Sequence, residues 1–196
     1  SYFIRWEPIQ YFGGTFDGQG HSISGLYFYD MQYYKNVGLF GSINSYDFDV
    51  WKGTDTTTIK DLTLKDSYFE AMENVAGIAG QITRLVTVFE NVHNEALVKA
   101  GQYAGGLVGR TEYNGYPVVL NSSNKGNIHA VSGTVAGLVG YSLTGTRIKN
   151  SYNAGNIYGG GSGGLGGYIA GDLMDDDNGY SLIEFSYNSK FLSISL

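Results

Sequence analysis

Short glycine-centred segments recur along this 196-residue chain with a period near 30, and such a recurrence requires units that stack. "VGLFG" (37–41), "AGIAG" (76–80), "GGLVG" (105–109), "AGLVG" (136–140) and "GGLGG" (163–167) end on glycines 39, 29, 31 and 27 residues apart. A second set keeps step: "IKDLTL" (59–64), "FENVHN" (89–94), "VLNSSN" (119–124), "IKNSYN" (148–153) and "IEFSYN" (183–188) start 30, 30, 29 and 35 residues apart. Between the two lies "GNIHA" (126–130) or "GNIYG" (155–159), with "ALVKA" (96–100) as a looser version. Two independent markers sharing one period make chance a poor explanation.

Each unit holds three stretches of four to six residues punctuated by Gly and Asn, too short for helices and without a sustained 3.6-residue period. Three brief strands per repeat, each stacked on its counterpart in the next, describe a parallel β-solenoid. In "IKDLTL" the alternation turns Ile59, Leu62 and Leu64 inward and Lys60 and Thr63 outward, with Asp61 at a kink. The inward columns then read Leu62, Val92, Ser122, Ser151, Ser186 and Leu64, Asn94, Asn124, Asn153, Asn188. Four stacked asparagines predict an internal amide ladder. The expected fold is all-β: one right-handed, three-stranded parallel β-helix over 1–196, with five to six coils of about 30 residues. Repeats fall at 13–43, 57–86, 87–117, 118–145 and 146–180, with 1–12 as an N-terminal cap and 181–196 as a partial last repeat.

Composition narrows the function. Thirty glycines with only two prolines and no collagen period mean many tight turns. A formal charge of −6 argues against nucleic acid as a partner. The absence of cysteine removes disulfides, thiol catalysis and cysteine-ligated zinc. No apolar run is long enough for a membrane-spanning helix.

"GTFDGQGHSISGL" followed by "GLFG", then "GGLVG" and "IKNSYNAGNIYG", resembles the GLUG-motif repeats of bacterial cell-surface and secreted proteins. The resemblance runs from about residue 12 to 190. It implies a β-helix in an adhesin-like protein or in the non-catalytic part of an IgA-specific metalloendopeptidase, and so an extracellular, cell-surface or secreted location. It supplies no catalytic motif. Departures are Ala76 and Ala136 at the first glycine, Gly166 at the aliphatic position and Phe185 where other repeats have Asn or Asp.

Local patterns that suggest chemistry are weak. "YGGGSGGLGG" (158–167) lacks the Gly-Lys-Ser/Thr of a phosphate loop, and no His-Glu-x-x-His accompanies His21, His93 and His129. The outward column Lys60, Glu90, Leu120, Lys149, Glu184 contains no adjacent acid pair, as glycoside hydrolysis needs. Asp172, Asp175, Asp176 and Asp177 supply hard oxygens in one loop, making calcium the one candidate ion; no other cofactor is expected. Segments 42–58, 81–88, 110–118, 141–147 and 168–182 read as loops leaving one corner of the solenoid. They carry the candidate ligand-binding aromatics Tyr46, Phe48, Trp51, Tyr113, Tyr116 and Tyr168. The expected function is a non-catalytic module, a rigid stalk that binds a host protein or glycan. The alternatives are a polysaccharide-degrading β-helix enzyme and a spacer of a secreted protease. The alternating "KFLSISL" end predicts end-to-end self-association.

Overall fold

A computed structural model gives the structure of the chain and describes residues 4–44, 56–170, 181–190 and 192–193. The described residues are all-β without a helix, in curled sheets of 10 and 12 strands whose pairings run parallel. The architecture is solenoid-like, because strands pair with the equivalent strand of the preceding and following repeat. Ile59 lies beside Phe89, Val119 beside Ile148, and Ile148 beside Ile183. In the other sheet Phe28, Phe69, Val98, Ile128, Ile157 and Leu192 form one row.

Alternation decides which side of each strand is inside. Strand Thr56–Lys65 turns Ile59, Leu62 and Leu64 into the core, all buried. Phe69, Phe89, Val98, Ile128 and the central residues Ile78, Leu107 and Leu138 of the glycine motifs complete the apolar interior.

The asparagine ladder is present. Asn94 donates through Nδ2 to Asn124 Oδ1, Asn124 to Asn153 and Asn153 to Asn188, each at 2.7 Å. Asn124 and Asn153 donate their second amide hydrogen to the carbonyls of Gly126 and Gly155 at 2.8 Å. The amide N–H groups of Ala96 and Gly155 donate back to Asn94 and Asn153. Asn94, Asn124 and Asn153 are fully buried, and the ladder meets the requirement that buried polar atoms be paired.

The glycine motif is the other half of this device. A Cβ on Gly77 would lie 2.0 Å from Asn94 Oδ1, on Gly106 2.7 Å from Asn124, on Gly137 2.4 Å from Asn153 and on Gly164 2.6 Å from Asn188. The glycine at the second position of the last four motifs is therefore the floor on which the asparagine of the next repeat rests, which is why the two markers share a period.

Serine does similar work at the kink. Asp61, Asn91, Asn121, Asn150 and Phe185 adopt left-handed backbone with φ between 47° and 55°, a conformation Asn and Asp tolerate best. The N–H groups of Val92, Ser122 and Ser151 donate to the serine hydroxyl of the next repeat at 3.0–3.1 Å. Those hydroxyls donate in turn to the carbonyls of Leu120, Lys149 and Glu184. Small polar residues thus replace Leu62 in the inward column without leaving a polar group unpaired.

One expectation changes. Segments 81–88 and 110–118 are not excursions; they lie within continuous strands Ala79–Asn94 and Val108–Leu120, with one register shift between Thr111 and Asn114. Their polar residues suggested loops, but Thr87 and Thr111 are buried, and Thr111 bonds Ser142 at 2.9 Å. Residues 4–12 add parallel pairings to the first repeat. Ile4–Arg5 pairs with Leu26–Tyr27, Ile9 with Phe40 and Phe12 with Ile43, and Trp6 Nε1 donates to Gly38 O at 3.0 Å.

Asn124→Leu removes donors and acceptors to both neighbours and leaves theirs buried, so it should destabilise the fold by about 1–3 kcal/mol in urea titration. Gly106→Ala should also destabilise, since Cβ meets the Gly137 carbonyl as well as Asn124. Phe185 is 80% exposed in left-handed backbone, and Phe185→Asn should raise stability by about 1 kcal/mol in the same titration.

Candidate functional site

Outward rows repeat as faithfully as inward ones. One row runs Ser42, Gln81, Arg110, Tyr141, Tyr168, one residue per repeat. Strand neighbours lie about 4.8 Å apart, and the rings of Tyr141 and Tyr168 stack at 4.8 Å with 14° between planes. Tyr103 packs on Tyr141 from the adjacent strand turn at 4.8 Å and 41°.

Arg110 completes the cluster. Its guanidinium lies 5.3 Å from the Tyr103 ring centroid and 5.8 Å from that of Tyr141, both within cation–π range. Its Nε is buried without a hydrogen-bond partner. Its Nη2 lies 3.5 Å from Glu112 Oε1, which also accepts from Gln81 Nε2 at 2.7 Å. Gln81 Oε1 accepts from Asn36, which accepts from Asn74, so a hydrogen-bonded chain holds the row in place. Cross-repeat stacking packs the Tyr141 ring between Tyr103 and Tyr168, and Tyr168 is 47% exposed.

Of the aromatics expected from the sequence, Tyr168 joins this cluster. Tyr116 is half-buried within Val108–Leu120, in register with Val86. Tyr113 belongs to the same strand. Tyr46, Phe48, Trp51 and the acidic residues Asp172, Asp175, Asp176 and Asp177 lie outside the described residues. Among the described residues no group of three or more His, Asp or Glu is placed to hold a metal ion, and no helix is long and apolar enough to cross a membrane.

Sequence reasoning missed Arg110, Tyr103 and Tyr141, because the row mixes residue types and Tyr103 enters from the turn before strand Ala104–Gly105. It also missed an excursion in the first repeat. Four residues, Met31–Tyr34, separate Asp30 from Lys35 where Met72 alone separates the paired Ala71 and Glu73. Asp30 accepts the N–H groups of Tyr33 and then Gln32, which lowers its pKa, and Tyr33 is 80% exposed. Tyr29, Asp30, Met31 and Gln32 line a shallow depression of about 260 Å³ there.

Elsewhere charges alternate. Lys60 bridges Asp17 at 3.0 Å and Lys149 meets Glu184 at 3.6 Å. Asp17 is held below the usual carboxylate range by the Gln19 N–H and then by Lys60, whose own pKa is raised by Asp17. Such exposed pairs add little stability and mainly order the surface.

A chain of polar contacts crosses three repeats at His93. Asn91 Nδ2 donates to Asp61 at 2.7 Å, which turns Asn91 Oδ1 toward His93 Nε2 at 3.0 Å. His93 Nε2 therefore carries the proton, and Nδ1 accepts from Ser123 Oγ at 2.8 Å. Serine beside imidazole is a nucleophile–base pair in form. Here Ser123 is 1% exposed between the in-register His93 and Tyr152, so its Oγ is closed to an acyl group in this conformation.

Burial, then the Lys125 charge, lowers the His93 pKa below its ordinary 6.5, with Glu95 opposing. Between the two values the unfolded chain binds more protons than the folded one, so stability falls as pH drops through that interval. The chain should lose more thermal stability than His93→Gln between about pH 7 and about pH 5. Equal losses would remove His93 as the cause.

No family model, no curated protein and no solved structure matches this chain.

Proposed function

We propose that the chain is a right-handed, three-sided parallel β-helix of five to six coils of about 30 residues, of the GLUG-repeat type. It acts as a non-catalytic stalk and ligand-binding module of a bacterial surface or secreted protein. The handedness rests on the strong preference of parallel β-crossovers for the right-handed path. The parallel registers and internal ladders support rigidity, since bending would stretch several rows of hydrogen bonds together.

The observation that carries the binding reading is the outward row Gln81, Arg110, Tyr141, Tyr168 with Tyr103 beside it. Tyrosine and arginine are the residues that dominate recognition surfaces, and pre-ordered side chains lose little entropy on binding. Phenol hydroxyls and a guanidinium edge at strand spacing suit the hydroxyls and carboxylates of a host glycan or the polar surface of a host protein. Tyr168 and Arg110 point out of a sheet held together from its other face, so truncating them spares the core.

Tyr168→Ala and Arg110→Ala should each weaken binding at least about tenfold in a glycan and host-protein array, with an unchanged β-type circular dichroism spectrum. Retained binding in both variants would place the surface elsewhere. Turnover of polyuronates by the parent chain would replace this reading with the enzymatic one.

A further inference from the structure

Arg110 is a cation that its own fold leaves half-used. It stands on strand Val108–Leu120, which pairs with Ala79–Asn94 on one side and with Val139–Ser142 and Arg147–Lys149 on the other, so the position lies inside the sheet. A guanidinium carries five N–H donors in a planar fork that matches a carboxylate edge to edge. Among the described residues Arg110 meets one carboxylate oxygen, Glu112 Oε1, through Nη2 at 3.5 Å. The same oxygen accepts from Gln81 Nε2 at 2.7 Å, so the amide holds Glu112 more closely than the cation does. Strong Arg–carboxylate pairs are shorter, about 2.7–2.9 Å, and frequently bidentate. With Nε buried and unpartnered as well, the guanidinium has capacity for a second carboxylate. The rings of Tyr103 and Tyr141 beside it displace water, which strengthens such a pairing over one made by an exposed arginine.

Glu112 decides what kind of acid fits. Thr111 between them is buried, which sets Arg110 and Glu112 together on the outer side of the strand, with 26% and 29% of their side chains exposed. A carboxylate alone would satisfy the arginine and repel the glutamate. A carboxylate with hydroxyls on the same ring satisfies both, because a hydroxyl donates to Glu112 while the acid accepts from Arg110. The Tyr103 and Tyr141 rings, 4.8 Å apart and inclined at 41°, add amphipathic area for the ring that carries these groups. We propose that this cluster selects acidic glycans, a sugar carboxylate pairing with Arg110 and a neighbouring hydroxyl with Glu112. The proposal rests on the reading of this surface as a ligand-binding one. An acidic peptide suits the cluster less. Its side-chain carboxylates carry no hydroxyl for Glu112, and strand addition needs a sheet edge, whereas Val108–Leu120 is paired on both sides.

The test uses the whole chain and three probes, trigalacturonate, a hyaluronan octasaccharide and sialyllactose, each beside its neutral methyl ester, in calorimetric titration at low salt. At least one acid should bind at least about tenfold more tightly than its ester, and added salt should narrow the difference. Arg110→Gln, with its circular dichroism spectrum checked, should bring that acid down to the affinity of its ester. Glu112→Gln weakens the hydroxyl contact for acid and ester alike but lifts the repulsion of the acid, so the acid-to-ester ratio should rise about threefold. Equal affinity of acid and ester in all three pairs would overturn the proposal, as would an Arg110→Gln variant that keeps the preference or a Glu112→Gln variant that lowers it. A glutamate-rich peptide bound more tightly than every sugar acid would overturn it too, by making the occupant a protein. The glycan and host-protein array judges the surface separately: array binding that Arg110→Ala weakens, together with equal acid and ester affinities, keeps the surface and removes the carboxylate.

Discussion

An asparagine amide pressed against a glycine backbone is the contact on which the rest of this structure depends. Buried amides are costly unless all their hydrogens and lone pairs are used. Here Asn124 and Asn153 each donate one hydrogen within their own repeat, donate the other to the next asparagine and accept from the previous one, which fixes both the turn that follows and the height of the next repeat. The glycine beneath leaves no alternative position, because a side chain at Gly106 or Gly137 would overlap the asparagine. Register follows, and with it the alignment of the apolar columns, the serine row and the outward tyrosines. Hydrophobic burial supplies most of the driving force for the interior, but it does not distinguish one register from another when Val, Ile and Phe share a column. The amides do, since a slip by one residue would bury them unpaired.

Much of this was legible in the sequence because the ladder residues recur at the repeat period. Asn94, Asn124 and Asn153 stand 30 and 29 residues apart, and Asp61, Asn91, Asn121 and Asn150 mark the kink by residue type. The inward direction of Ile59, Leu62 and Leu64 followed from alternation alone. What stayed hidden lay where the repeat and the strand disagree. Residues 81–88 and 110–118 are polar and sit between markers, so they read as loops, yet Thr87, Thr111, Ser142, Thr144 and Thr146 are buried and several bond one another. A buried hydroxyl partnered by another hydroxyl has the same sequence signature as an exposed one.

The outward face was harder to read for a related reason. Tyr141 and Tyr168 share a row with Arg110, Gln81 and Ser42, so only its last two members have a residue type in common. Tyr103 reaches the same cluster from a neighbouring turn. The sequence singled out Tyr46, Tyr113, Tyr116 and Tyr168 as loop contacts, whereas the pairs Tyr27–Tyr68, Tyr141–Tyr168 and Tyr152–Tyr187 stack across repeats. Each such pair covers the sheet from outside and orders its neighbour, so the surface is organised by the same register as the core.

The reciprocal ladder also makes the length of such a protein a whole-number quantity. An asparagine that gives to the next asparagine and takes from the previous one is satisfied by any number of identical neighbours. Duplicating or deleting a complete unit of about 30 residues leaves every amide, glycine floor and kink with the same kind of partner. Losing or gaining a single residue between kink and ladder strands them all at once. Genes built on this plan can therefore lengthen or shorten their product by unequal recombination in steps of one repeat, changing its reach while its local chemistry stays the same.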